Sequence, residues 1–169
     1  PGKDMLIPAH AYPFFRTAAQ IANAPLRTAA ENATTASVDT LLDAQRAETS
    51  VVCLANPANP TGTRLPRTEV IRLRTGLRPD ILLVLDEAYG EFSDHFGERF
   101  FDMAGAGNTV ILRTFSKAYG LAGLRVGWAH VPAAILPGMY AARGMASVNA
   151  MAQAAATAVL QDMDVVNAR

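Results

Sequence analysis

One cysteine in 169 residues leaves no partner for an internal disulfide. Cys53 lies inside the apolar run Val51-Val52-Cys53-Leu54 and reads as a small buried residue, which fits a reducing cytoplasm. Charge of one sign is also lacking: 15 Lys and Arg balance 15 Asp and Glu. With no net field, neither nucleic acid nor an anionic membrane is an expected partner. No uninterrupted apolar stretch is long enough to span a bilayer. The three histidines and the cysteine form no cluster with metal-ligand spacing, so no metal is expected. Phosphate-loop and dinucleotide fingerprints are missing too, as are repeats, low-complexity tracts and linkers. The first residue is Pro1, with no Met or signal segment ahead of it, and residues 1–169 read as a piece of a longer chain.

Half of the residues are apolar, enough for one domain with a real core. Five apolar runs have strand length: Met5–Pro8, Ser50–Ala55, Ile81–Asp86, Thr109–Thr114 and Arg125–His130. They are continuous rather than alternating, the pattern of strands buried on both faces. Helical signals lie between them. Phe14 to Asn23 is amphipathic, Ser37 is placed to cap Val38 to Arg46, Pro66 suits the first turn of a helix to about Leu77, and Ala150 to Leu160 is rich in alanine. Alternating strands and helices predict an α/β three-layer sandwich with a mainly parallel sheet. Trp128 and the pair Phe14 and Phe15 are expected in the core, and Arg64, Arg67, Arg72, Arg74 and Arg78 on a solvated helix face.

In such sheets ligands bind outside the carboxyl ends of the strands. Polar residues gather there after four of the runs: Tyr12, Asn56 to Gly62, Asp86 to Tyr89, and Thr114 to Lys117. Lys117 stands beside hydroxyl side chains, and Arg125 follows eight residues later in a glycine-punctuated segment. A lysine so placed can form a Schiff base with a carbonyl while the hydroxyls and the arginine hold a phosphate, which points to pyridoxal phosphate. Asp86 ends a buried strand and needs a partner. A pyridinium nitrogen is one; a helix N-cap or a structural ion pair is the other use of such a residue. Tyr89 is placed to donate to the phenolic oxygen of that ring. Asn59, in a turn stiffened by Pro57, Pro60 and Gly62, can be aimed at the same oxygen or serve the turn alone. Tyr12 can lie against a heteroaromatic ring or pack in the core. His10, His95 and His130 are lone histidines with no evident carboxylate partner.

Asn59-Pro60-Thr61-Gly62, Asp86-Glu87-Ala88-Tyr89, Ser116-Lys117-Ala118 and Ala122-Gly123-Leu124-Arg125, in this order and spacing, resemble fold-type I pyridoxal-phosphate aminotransferases. Glu91-Phe92 after the acidic motif, the run Arg113 to Arg125, and Pro1-Gly2-Lys3-Asp4 ahead of the first strand are similar to the histidinol-phosphate aminotransferase group. The resemblance covers nearly the whole chain. It implies that Lys117 carries the cofactor and shuttles the proton, Asp86 pairs with the ring nitrogen, and Tyr89 and Asn59 bond the phenolic oxygen. Tyr12 would stack on the ring, with Arg125, Ser116 and Thr114 on the phosphate. It further implies transamination of histidinol phosphate or an aromatic amino acid, with 2-oxoglutarate and glutamate as the second pair, in a cytoplasmic homodimer. Residues 1–169 would form part of the large cofactor-binding domain, without the upstream glycine-rich loop and the downstream small domain. A decarboxylase or lyase on the same scaffold, such as one acting on threonine phosphate, and a non-catalytic sensor domain are the alternatives.

Overall fold

The computed structural model describes residues 3–93, 100–105, 107–144 and 148–167, so Pro1, Gly2 and His95 lie outside the described residues. The elements in chain order are β1 (Asp4–Pro8), α1 (Pro13–Ile21), β2 (Leu26–Ala29), β3 (Glu31–Asn32), β4 (Thr35–Ala36), α2 (Val38–Asp43) and β5 (Thr49–Ala55). They continue with α3 (Arg67–Gly76), β6 (Leu82–Asp86), α4 (Phe101–Gly105), β7 (Thr109–Thr114), β8 (Gly127–His130), α5 (Leu136–Ala142), α6 (Ala150–Gln161) and α7 (Asp164–Asn167).

Six strands form one sheet in the order β2-β1-β5-β6-β7-β8. All neighbours are parallel except β8, which runs antiparallel to β7. The register pairs Val52 with Leu83 and Val84 with Val110, which stacks the apolar runs side by side. Successive side chains leave a strand on opposite faces. One face sends Leu6, Val52, Leu54, Leu83, Leu85 and Ile111 against Val38 and Leu41 of α2 and Val70 and Leu73 of α3. The other sends Ile7, Cys53 and Ala55 against Phe15 of α1. Helices therefore cover both faces, as continuous apolar runs require, and each fully buried leucine stabilises the packing by about 1.5–3 kcal/mol. A third cluster, Phe115, Val126, Ala152 and Ala156, docks α6 behind the segment that carries Lys117.

The helix starts follow their capping residues. Ser37 accepts the Thr40 N–H at 3.4 Å, and Asn149 Oδ1 accepts the Ala152 N–H at 2.9 Å. Pro66 is the cap residue ahead of α3 rather than part of its first turn. The expected strand at Arg125 begins only at Gly127, because Arg125 adopts a left-handed backbone, φ 53°. Gly127 is required there: a Cβ would meet the Arg113 carbonyl oxygen at 2.8 Å. Cys53 is buried as expected, and burial, followed by the Asp86 charge, pushes its thiol up to about 12.

Several side chains depart from expectation. Phe15 is buried but Phe14 is 55% exposed, since the inward stripe of α1 is Phe15 and Ala19. Trp128 is 42% exposed because it sits on an edge strand whose four residues are all open, with Phe101 as its ring neighbour. Of the five arginines, Arg72 lies on a solvated face, paired with Glu69 and Asp39. Arg74 and Arg78 instead donate to the backbone carbonyls of Ile81 and Thr49. Arg67 pairs with Asp102, and Arg64 donates to Ser93 Oγ at 2.9 Å.

Candidate active site

The parallel strands β1, β5, β6 and β7 end on the same side of the sheet, and a cavity of about 340 Å³ opens there. Each strand end delivers a different side chain. Tyr12 follows β1, Asn59 follows β5, Asp86 closes β6 with Tyr89 beyond it, and Thr114 closes β7 with Ser116 and Lys117 beyond it. Arg125 reaches the cavity from the left-handed turn ahead of β8. These eight line one cavity, though they span 114 residues of sequence, 12 to 125 counted inclusively, in four separate segments.

The loop that carries Asn59 is clipped shut by Asn56, a buried residue. Its Nδ2 donates to the Leu65 carbonyl at 3.0 Å and its Oδ1 accepts the Leu65 N–H at 2.8 Å. Inside the clip the Ala58 N–H donates to Thr63 O and the Gly62 N–H to Ala58 O, both at 2.9 Å. Asn59 Nδ2 donates to the Tyr89 hydroxyl oxygen at 3.4 Å, which brings the two groups together on the cavity wall. Tyr12 is 38% exposed, meets Phe15 near perpendicular at 6.0 Å, and lines the cavity. Thr114 Oγ1 accepts the Ser116 N–H at 3.1 Å and fixes the turn that leads to Lys117. The Lys117 ammonium lies 5.0 Å from the centre of the Tyr89 ring. Arg125 is anchored by donation to the Ala122 carbonyl at 2.7 Å.

Asp86 is electrostatically unusual. Burial pushes its carboxyl above the usual value, and neither the Ala88 N–H on Oδ1 at 3.0 Å nor the charge of Lys117 cancels that cost. A cationic N–H donor in the cavity would. The cavity thus holds an acid that calls for a cation, an amine, a pair of donors in contact, and an arginine with two hydroxyls. That set fits a pyridinium ring bearing an aldehyde, a phenolic oxygen and a phosphate, and the volume is that of a small-molecule site.

Two histidines described here stand apart from these groups. His10 does have a carboxylate partner, Glu31, at 2.7 Å from Nδ1, and His130 stacks on Phe101 at 5.6 Å. The cavity wall also holds a group to which the motifs gave no role: Arg113, buried, donates from Nε to Glu87 at 2.8 Å and from Nη1 to Glu91 at 3.2 Å. The sequence signal was an arginine in the otherwise apolar run Val110-Ile111-Leu112-Arg113, which demands buried partners.

The family model described as aminotransferase class I and II matches residues 1–168. A histidinol-phosphate aminotransferase from Granulibacter bethesdensis is 43% identical over 166 residues, covering 96% of this chain and 44% of that protein. The crystal structure of histidinol-phosphate aminotransferase from Sinorhizobium meliloti in complex with pyridoxal-5'-phosphate superposes with a TM-score of 0.91 at 31% identity. It covers 98% of this chain and 46% of that one. L-threonine-O-3-phosphate decarboxylase from Porphyromonas gingivalis superposes at 0.84 with 27% identity, covering 98% and 49%. The chain spans about half the length of the relatives it matches.

Proposed function

The chain belongs to the aminotransferase class I and II family, and from that premise we propose that the protein carrying it is a pyridoxal-phosphate-dependent aminotransferase. The substrate would be histidinol phosphate or an aromatic amino acid, with 2-oxoglutarate and glutamate as the second pair. The observation that carries this reading is the convergence of eight side chains from four separate segments on one cavity. The relatives supply the substrate class, since the Granulibacter and Sinorhizobium proteins are both histidinol-phosphate aminotransferases. The decarboxylase likeness is looser in identity and in superposition, which ranks decarboxylation second. Residues 1–169 form part of the large domain of a longer enzyme in this reading, which is a homodimer in the cytoplasm.

When bound, pyridoxal phosphate supplies an electron sink for the substrate α-carbon. The placement of the chain's own residues supports the following roles. Lys117 would hold the aldehyde through Nζ, and the same amine would carry the proton to and from the substrate α-carbon. Asp86, ionised, holds a proton on the ring nitrogen, and in exchange the cation offsets the cost of its burial. Tyr89 and Asn59 hold the phenolic oxygen, and their 3.4 Å contact keeps both aimed at it. Tyr12 covers the ring face and excludes water from it. Arg125 binds the phosphate as a charged fork, with the Ser116 and Thr114 hydroxyls beside it.

The test is a half-reaction screen of the full-length protein against histidinol phosphate, phenylalanine, tyrosine and threonine phosphate. Conversion of bound cofactor by histidinol phosphate or an aromatic amino acid supports transamination; carbon dioxide release from threonine phosphate supports the second reading. In Lys117→Ala the borohydride-reducible bond to protein should vanish. Its persistence would remove Lys117 from this role.

A further inference from the structure

We propose that Arg113 is a positioning residue: with Glu87 and Glu91 it holds the Asp86–Tyr89 strand end and the Lys117 segment in one fixed relation. The proposal rests on the functional reading above and extends it to residues outside the cofactor set.

The connectivity is what matters. Glu87 directly follows Asp86 and stands two residues before Tyr89; Glu91 stands two residues after it. Arg113 directly precedes Thr114 and stands four residues before Lys117; Tyr119 stands two residues after. One guanidinium therefore ties both flanks of Tyr89 to the strand end that leads into Lys117. Burial, and after it the charge of Glu91, pushes the titration of the Tyr119 hydroxyl upward. A backbone bond, Glu87 N–H to Leu112 O at 3.0 Å, runs alongside. The result is the 5.0 Å spacing between the Lys117 ammonium and the Tyr89 ring.

The turn is also built around the guanidinium. A Cβ on Gly90 would stand 3.0 Å from Arg113 Nη1, tighter than ordinary contact, so a larger residue there would make the guanidinium shift. The side chains of Arg113, Glu87 and Glu91 are 6%, 4% and 5% exposed. Two carboxylates share one guanidinium, and Glu91 Oε2 is buried with no hydrogen-bond partner among the described residues. Burial dominates at Glu87 and raises its carboxyl even against the Arg113 charge. Such a cluster is a poor way to gain stability, because apolar side chains of similar volume do as well or better. It is a good way to gain geometry, because the planar fork bonds two acceptors at fixed angles where an ammonium cannot.

The experiment uses the full-length holoenzyme with Arg113→Lys and Glu91→Gln. Arg113→Lys keeps the charge and loses the fork; Glu91→Gln keeps the shape and loses one charged acceptor. The readouts are the pH midpoint of the absorbance band of the lysine-bound cofactor, the half-reaction rate, and the Tm of the cofactor-free protein. Misplacement of Lys117 against Tyr89 and Asp86 should move the midpoint in both variants. It should also slow the half-reaction about 10- to 100-fold in Arg113→Lys, the size expected of a misplaced reacting group. Lower Tm with an unmoved midpoint and a rate within twofold of wild type would make the cluster structural support only and overturn the proposal. If Arg113→Lys does not fold, Glu91→Gln decides between the same outcomes. A wild-type protein without the absorbance band would overturn the functional reading itself, a result distinct from an unmoved band.

Discussion

Asp86 shows how a single residue can be unfavourable for folding and favourable for a site. Its carboxyl pKa is raised by burial, so over the window between its ordinary and its folded value the native chain holds more protons than the unfolded one. Stability therefore falls as pH rises through that window, and the cost is fully present above it. Asp86→Asn removes this cost. In the cofactor-free full-length protein the variant should melt at or above the wild-type temperature at neutral pH, with the gap closing as the pH drops toward the carboxylate range. In the holoenzyme the order of function reverses, and α-proton removal should slow strongly. Thermal melts across pH and the half-reaction rate check the two halves; a variant less stable than wild type at neutral pH would contradict the burial argument. Asp86 was legible in the sequence because a carboxylate at the end of an apolar strand has few uses. Asn59 and Tyr89 were expected on one oxygen, but their direct 3.4 Å contact was not, since a separation of 30 residues carries no distance. Nor were the partners of Arg113: an arginine in an apolar strand announces a need for counter-charges without saying which carboxylates answer it.

At the scale of elements, what positions Asn59 is the loop between β5 and α3, and that loop depends on Asn56. Its amide closes two bonds to Leu65 in a buried setting, and no other side chain of the loop duplicates them. Asn56→Ala leaves the Leu65 N–H and carbonyl unpaired, at about 1–3 kcal/mol for each group that water cannot reach. We expect a destabilisation of that order in denaturant unfolding of the full-length protein, together with weaker cofactor binding as Asn59 loses its aim. Unchanged cofactor affinity would mean that Pro57 and Pro60 alone hold the loop. The strands were legible in proportion to their burial. Runs such as Leu82-Leu83-Val84-Leu85 sit mid-sheet and declare themselves by apolarity. Leu26-Arg27-Thr28-Ala29, at the outer edge beside β1, is short and half polar, so β2 carried no such signal. The direction of β8 was equally silent, because apolar content does not distinguish parallel from antiparallel pairing. Residues 115–126, between the two strands, hold a single helical turn at Ala122–Leu124 and no crossover helix, and they return the chain antiparallel beside β7.

For the whole molecule, the distribution of exposure is uneven. The α2 and α3 side is closed over a continuous core. The opposite end is open: all four residues of β8 are exposed, Trp128 at 42%, and beyond it Tyr140, Met151 and Leu160 stand 60%, 76% and 52% exposed. An exposed edge strand offers unpaired backbone groups to any neighbour, and apolar side chains around it add a driving force for association. The relatives are about twice as long as this chain, so their additional length has room to cover such a surface. Residues 1–169 expressed alone should therefore self-associate in sedimentation velocity and bind a hydrophobic dye, and the full-length protein should do neither through this face. Trp128 is the only tryptophan of the chain and lies on the open edge, so its fluorescence reports the same event locally. In the isolated chain at low concentration its emission should be red-shifted and readily quenched by acrylamide, and association should shift it to the blue. A monomeric, dye-free chain with a solvent-exposed Trp128 would show that the edge needs no cover, and the open face would then be a finished surface rather than a place where more protein docks.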